Sequence, residues 1–232
     1  MKKEMRESLK TQGGRDIVKA ESEGDPDLLF NTVLKLFEKQ LISDGLFYYW
    51  IGKAAEMRHP AAMYHAACRG LGGRNRIVHE DARKMLRLSA ELGSPEAQVL
   101  LGCLYCLGKD GFTLDLAEGR KWYLLAAKKG LPTAQYEIGM MMILGEGGER
   151  DIQAGKDFLV DAACNKSPNL SSLEAARMLS DIERLGVREA EMDAAEKEKW
   201  KAWAIDLKKK IEKRSLNRED EDSEGGDIGS EQ

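Results

Sequence analysis

Aromatic residues make up only 6% of the 232 residues, and histidine occurs three times, cysteine four times and proline five times. Each scarcity excludes something. So few rings among so much alanine, leucine and glycine suit one elongated domain better than a single large core. No run of eighteen apolar residues occurs and no signal-peptide core is present, which argues against a membrane-spanning helix and a secreted precursor. The opening Met1-Lys2-Lys3-Glu4-Met5-Arg6 is too acidic for a typical transit peptide. A cytoplasmic or nuclear setting is the expectation, with mitochondrial import left open. The formal charge of −4 hides a split, because Ser215 to Gln232 carries seven acids and one base and leaves the rest near +2. A near-neutral body argues against a nucleic-acid groove.

What is present is a period. The five prolines, Pro26, Pro60, Pro95, Pro132 and Pro168, stand 34, 35, 37 and 36 residues apart, and a fixed spacing of that size marks a helical repeat. Independent features share the register. A large apolar residue stands four before each small pair: Trp50 before Ala54-Ala55, Met85 before Ser89-Ala90, Trp122 before Ala126-Ala127, Phe158 before Ala162-Ala163. Residues four apart share a helix face, so Trp50, Met85, Trp122 and Phe158 are the expected anchors of four second helices. Ala82, Gly119 and Gly155 precede three of them by three positions. After the prolines come the first helices, written Ala97-Gln98, Leu101-Gly102, Gly108 in one unit and Ala134-Gln135, Ile138-Gly139, Gly145 in the next. Gly130 stops a helix in the left-handed conformation, and Pro132 opens the next at a position where its missing N–H costs nothing.

These residues resemble the Sel-one-like repeat family, a solenoid branch close to tetratricopeptide repeats. The likeness rests on Ala-Gln, Leu-Gly, Tyr105, Gly108, Asp115, the Trp122-Tyr123 with Ala126-Ala127, and Gly130-x-Pro132-x-Ala134. It covers roughly Pro26 to Trp200. Ala67 replaces the helix glycine in the second unit, and Gly70 and Met142 replace the tyrosine in the second and fourth. The resemblance implies an all-α, right-handed α/α solenoid of about five helix pairs, with the first helices lining a concave face. Secreted relatives pair cysteines on the two helices of a repeat. Cys68, Cys103, Cys106 and Cys164 show no such pairing and read as reduced packing residues.

The expected organisation has three parts. Residues 1–25 form a partly ordered segment with a capping helix from about Arg15 to Glu23. Residues 26–214 form the solenoid, with a long loop from Leu71 to His79. Residues 215–232 form an acidic tail poor in apolar residues and expected to be disordered. Past Pro168 the register returns only after a shift of five residues, when Ala175, Leu179, Ser180 and Gly186 repeat the spacings of Ala97, Leu101, Gly102 and Gly108. Asp193 and Trp200 then stand seven and fourteen after Gly186, as Asp115 and Trp122 stand after Gly108, so Trp200 is the fifth anchor. A long helix from Arg188 to Arg214 should cap the array, burying Trp200, Trp203, Leu207 and Ile211.

Chemistry is sparse. His65, Cys68, Cys103 and Cys106 are the residue types of a zinc site, but stacked helices nearly 10 Å apart hold ligands beyond bonding distance. The turns at Gly72-Gly73 and Gly145 to Gly148 lack the strand and the Gly-Lys-Ser/Thr of a phosphate loop. His59 and His79 have no serine or acid arranged for catalysis. No catalytic residue, metal ligand or cofactor site is expected.

The candidate binding residues lie between the buried positions of the first helices: Tyr64 and His65, Val99 and Leu100, Tyr136 and Glu137, with Met140 and Met141 beside them. By the resemblance these face the concave side, where adaptable methionines suit a peptide or helix. The expected function is a non-catalytic scaffold or adaptor for protein partners. The alternative is a structural or assembly-factor subunit of an enzyme or organelle complex.

Overall fold

The computed structural model describes residues 11–72, 76–167, 169–185 and 192–224. Among the described residues it contains eleven α-helices, one 3-10 turn and no strand. In chain order they are α1 (Gln12–Glu23), α2 (Pro26–Glu38), α3 (Asp44–Glu56), α4 (Pro60–Leu71), α5 (Arg76–Glu91) and α6 (Pro95–Leu107). There follow α7 (Leu116–Ala127), α8 (Pro132–Leu144), α9 (Ile152–Ala163), α10 (Leu170–Ser180), the turn Ile182–Leu185, and α11 (Ala194–Glu224).

Local chemistry sets most of these boundaries. Pro26, Pro60, Pro95 and Pro132 are each the first residue of a helix, where an N–H would lack a partner anyway. Second helices are capped by acids in one register: Asp115 accepts from the Glu118 N–H at 2.9 Å, Asp151 from Ala154 at 3.0 Å and Asp193 from Glu196 at 2.8 Å. Such caps each contribute about 1 kcal/mol. Asn169 and Ser172 form a reciprocal capping box that starts α10. Gly93 and Gly130 end second helices with φ of 97° and 82°; Arg58 holds the equivalent position with φ 64°, a conformation that favours glycine.

The chain divides into two compact units, Met1–Thr113 and Leu114–Gln232, with the boundary between the two helices of the third repeat. In the first unit the core gathers Ile17 of α1, Leu29 and Val33 of α2, Leu46, Trp50 and Ile51 of α3, and Ala62 and Met63 of α4. The Ser89 hydroxyl of α5 donates to the Pro60 carbonyl at 2.6 Å, pinning a second helix to the start of its own first helix. In the second unit Ile143, Leu159, Leu173, Leu179, Ile182, Trp200 and Leu207 form the core. Its tightest crossing is α8 on α9. A Cβ on Gly139 would stand 2.9 Å from the Gly155 carbonyl oxygen, and one on Gly155 would stand 2.7 Å from the Gly139 carbonyl oxygen. Trp203 ties α11 down by donating its indole N–H to the Ala163 carbonyl at 2.9 Å.

The five-residue shift is present in the helices, since Ala175 and Leu179 are as fully buried as Ala97 and Leu101. Four expectations change. Trp50 and Trp200 are buried, but Met85, Trp122 and Phe158 are only half-buried. The deepest side chain of each of those helices is the next one, Leu86, Tyr123 or Leu159. The pairing that matters there is with the second small residue, Ala90, Ala127 or Ala163, four positions on. α5 starts at Arg76, three residues before the expected end of the loop, while residues 73–75 lie outside the described ones. α1 begins at Gln12, where the Thr11 hydroxyl accepts the Gly14 N–H at 3.0 Å. α11 runs from Ala194 to Glu224, continuing ten residues past Arg214 into the acidic segment, while Gly186 and the expected start at Arg188 lie outside the described residues. Arg, Glu and Leu, which the segment contains, are good helix formers. Residues 1–10 and 225–232, which fall in the expected terminal segment and tail, lie outside the described residues.

Candidate functional site

Three first helices share one pattern of exposure. Counting from the buried alanines Ala62, Ala97 and Ala134, the second, third and sixth residues onward are half-exposed: Tyr64, His65 and Cys68 on α4, Val99, Leu100 and Cys103 on α6, Tyr136, Glu137 and Met140 on α8. Burial of Ala67, Leu101 and Ile138 between them fixes the rotation of each helix. Met141 is a correction to the expected set. It is 4% exposed, like Leu104 at the same position of α6, and belongs to the interior rather than to any surface. Met142 instead lines a cleft of about 560 Å³ with Arg120, Glu149, Arg150, Asp151 and Ile152.

Within the first unit, Tyr64 and His65 meet edge to face at 5.4 Å, and His65 also packs 6.0 Å from both Phe30 and Phe47. Burial lowers the His65 pKa from its ordinary value, with Glu96 opposing it. Tyr64 is pushed up to about 12 by burial, with Cys68 and Glu96 adding to the effect. Cys68 hydrogen bonds to Tyr64, yet burial still raises its thiol pKa, the opposite of what a reactive thiolate requires. In the second unit, burial raises the pKa of Tyr136, assisted by Glu137 and Glu174. Burial raises that of Glu137 as well, with repulsion from Glu146 second.

No three histidine, cysteine or acidic side chains are grouped to hold a metal ion among the described residues. His59, expected to be chemically idle, is a helix cap. Its Nδ1 accepts the Ala62 N–H at 3.1 Å, its Nε2 lies 3.3 Å from a carboxylate oxygen of Asp27, and its ring stacks on Phe30 at 4.2 Å.

Sequence reasoning missed a pair of arginines. Arg83 of α5 donates to the Asp110 carbonyl at 3.0 Å. Arg120 of α7 donates to the carbonyls of Glu146 at 3.1 Å and Glu149 at 2.7 Å. Each follows the small residue of its second helix, Ala82 or Gly119, and each clamps the loop that ends the next first helix. The signal was there in the shared register, but a charged residue on a helix face reads as solvated. The clamp also explains the cleft beside Arg120, whose guanidinium is spent on backbone carbonyls.

All-α helix pairs that repeat one register and one pattern of burial define a helical-repeat protein of the α/α solenoid class. The particular repeat is the Sel1 repeat, whose family model matches residues 60–94, 95–131 and 132–166 in tandem. Residues 60–166 thus carry three Sel1 repeats in tandem. Among solved structures it is similar to a Sel1 repeat protein from Oxalobacter formigenes, with TM-score 0.66 and 23% identity over 82% of this chain and 76% of that one. It is also similar to a protective antigen with an SLR fold from uropathogenic Escherichia coli, with TM-score 0.68 and 23% identity over 84% of this chain and 41% of that one. An immunity protein from Pseudomonas aeruginosa follows at TM-score 0.53 and 20% identity, over 82% and 71% of the two chains. No curated protein matches in sequence. Sel1 repeats generally mediate protein–protein interaction and are typically non-catalytic. No helix among the described residues is long and apolar enough to cross a membrane.

Proposed function

We propose that this protein is a non-catalytic scaffold or adaptor that docks a protein partner on the face formed by its first helices. The observation that carries the reading is the repeated exposure pattern: Tyr64, Val99, Leu100, Tyr136 and Met140 stay half-exposed on helices whose neighbouring positions are buried. Large apolar and aromatic side chains left partly open on packed helices are what interfaces use as anchors, and central ones are worth on the order of 2 kcal/mol or more. His65 and Glu137 flank the anchors and supply polar edges. Four thiols suit a reducing cytoplasmic setting.

Tyr136→Ala should weaken partner binding at least about tenfold while leaving the melting temperature within a few degrees of the parent. Lys128→Ala, at the exposed end of α7, should change neither. A binding assay run beside thermal melts decides it. Normal binding by folded Tyr136→Ala would remove this face from consideration.

A further inference from the structure

The docking face has a chemical bias, and the inference drawn from it rests on the reading above. Four rings of the chain already carry one of its own cations: Arg69 over Tyr48 at 4.5 Å, Arg87 over Phe112 at 5.1 Å, Lys199 over Trp200 at 5.8 Å and Lys210 over Trp203 at 5.2 Å. Among the described residues no cation stands over Tyr64 or Tyr136, the two tyrosines of the exposed pattern. Carboxylates act electrostatically on both. Glu96 acts on Tyr64, and Glu137 and Glu174 act on Tyr136.

The arrangement is repeated. Glu96 and Glu174 hold one register position, each immediately before the buried alanine, Ala97 or Ala175, of the first helix that follows the tyrosine's own helix pair. It therefore occurs once in each compact unit. Among the described residues Glu174 pairs with Arg177 at 2.8 Å, and those side chains are 46% and 51% exposed, a weak pairing that a partner's cation can replace. Glu137 is more deeply placed and has no ion pair among the described residues, and burial holds its carboxyl in the neutral form more readily than that of a free glutamate, with Glu146 adding to the effect. An apolar occupant would seal that carboxyl away from water without a counter-charge, and an acidic one would meet repulsion from both glutamates. A lysine or arginine satisfies every group at once, its stem along the ring and its charge beside the carboxylates.

We propose that the first helix of the second unit binds a peptide segment of its partner that presents lysine or arginine, the cation lying against Tyr136 beside Glu137 and Glu174, and that Tyr64 with Glu96 in the first unit can by itself take the same kind of side chain.

The test is selection of random heptapeptides displayed on phage against the full-length protein, followed by titration of the enriched synthetic peptides into the parent and four variants. The expected result is enrichment of peptides carrying Lys or Arg. Their binding should weaken about threefold to tenfold in Glu174→Gln and in Glu137→Gln, fall further in Tyr136→Ala, stay unchanged in Lys128→Ala, and weaken as salt rises. Circular dichroism melts of each variant confirm that the fold is retained. If the enriched peptides lack basic residues but still lose binding in Tyr136→Ala, the basic-segment proposal is overturned while the docking face stands. If basic peptides are enriched but bind folded Tyr136→Ala as well as the parent, both the docking face and this proposal are overturned. Equal binding by Glu137→Gln and Glu174→Gln would also overturn the proposal.

Discussion

A neutral imidazole caps α4. The geometry at His59 works only while Nδ1 is unprotonated, because that atom accepts the Ala62 N–H. Burial accordingly holds its folded pKa below the usual 6.5, against the pull of Asp27. The sign of the pH effect follows. Above 6.5 both folded and unfolded chains are neutral at this position. As the pH falls through that value the unfolded chain takes up its proton first, so stability declines until the lower folded pKa is passed. His65, also shifted down, acts in the same direction. Glu137 opposes both, since a raised acid pKa makes the folded chain gain on acidification. The diagnostic comparison is therefore His59→Asn, which keeps a side-chain oxygen for the cap. Thermal melts between about pH 7.5 and about pH 5.5 should show a smaller loss for His59→Asn than for the parent, with a cap contribution on the order of 1 kcal/mol at stake. Identical profiles would mean that His59 does not report the cap. Nothing in the sequence announces this role. A histidine before a helix proline is ambiguous until Phe30 and Asp27 are brought to it from another helix.

Elements were legible wherever one residue type does one job at a fixed period. The prolines at helix starts, Asp115 and Asp193, and the buried alanines all obey short-range rules that need no tertiary information. Anchors were less legible, because Trp122 and Tyr123 are both large and only the neighbouring helix decides which turns inward. Glycines in mid-helix carry the opposite lesson. Gly139 and Gly155 cost helix propensity, and the close approach of α8 and α9 explains why both are present. Gly155→Val should destabilise the second unit by about 1–3 kcal/mol, as overpacking does when a backbone carbonyl cannot retreat. Chemical denaturation measures it. A change below about 0.5 kcal/mol would show that the crossing relaxes without cost, as surface substitutions do. The boundaries of α5 and α11 differed because composition alone reads the glycine- and arginine-rich stretch as a loop and the acidic stretch as a tail, whereas the backbone is helical from Arg76 and as far as Glu224.

At the scale of the molecule, periodicity revealed the fold class and the candidate residues between the buried positions, while the degree to which each is buried needed the structure. Exposure of Tyr136 and burial of Met141 depend on the rotation of α8, which its all-apolar run Met140 to Leu144 does not disclose. The partner's chemistry is one step further removed, because Glu96 and Glu174 gain meaning only beside tyrosines on other helices. The account's central claim is that partners dock on the first helices and not on the second. Site-specific photo-crosslinking in the native cell tests it most directly, with a benzophenone amino acid replacing Tyr136 or Val99 on the first helices and Leu125 on a second helix, where the side chain is 45% exposed. The expected result is a discrete crosslinked partner from positions 136 and 99 and none from position 125. Crosslinks from position 125 alone would contradict the claim and place the interface on the second helices.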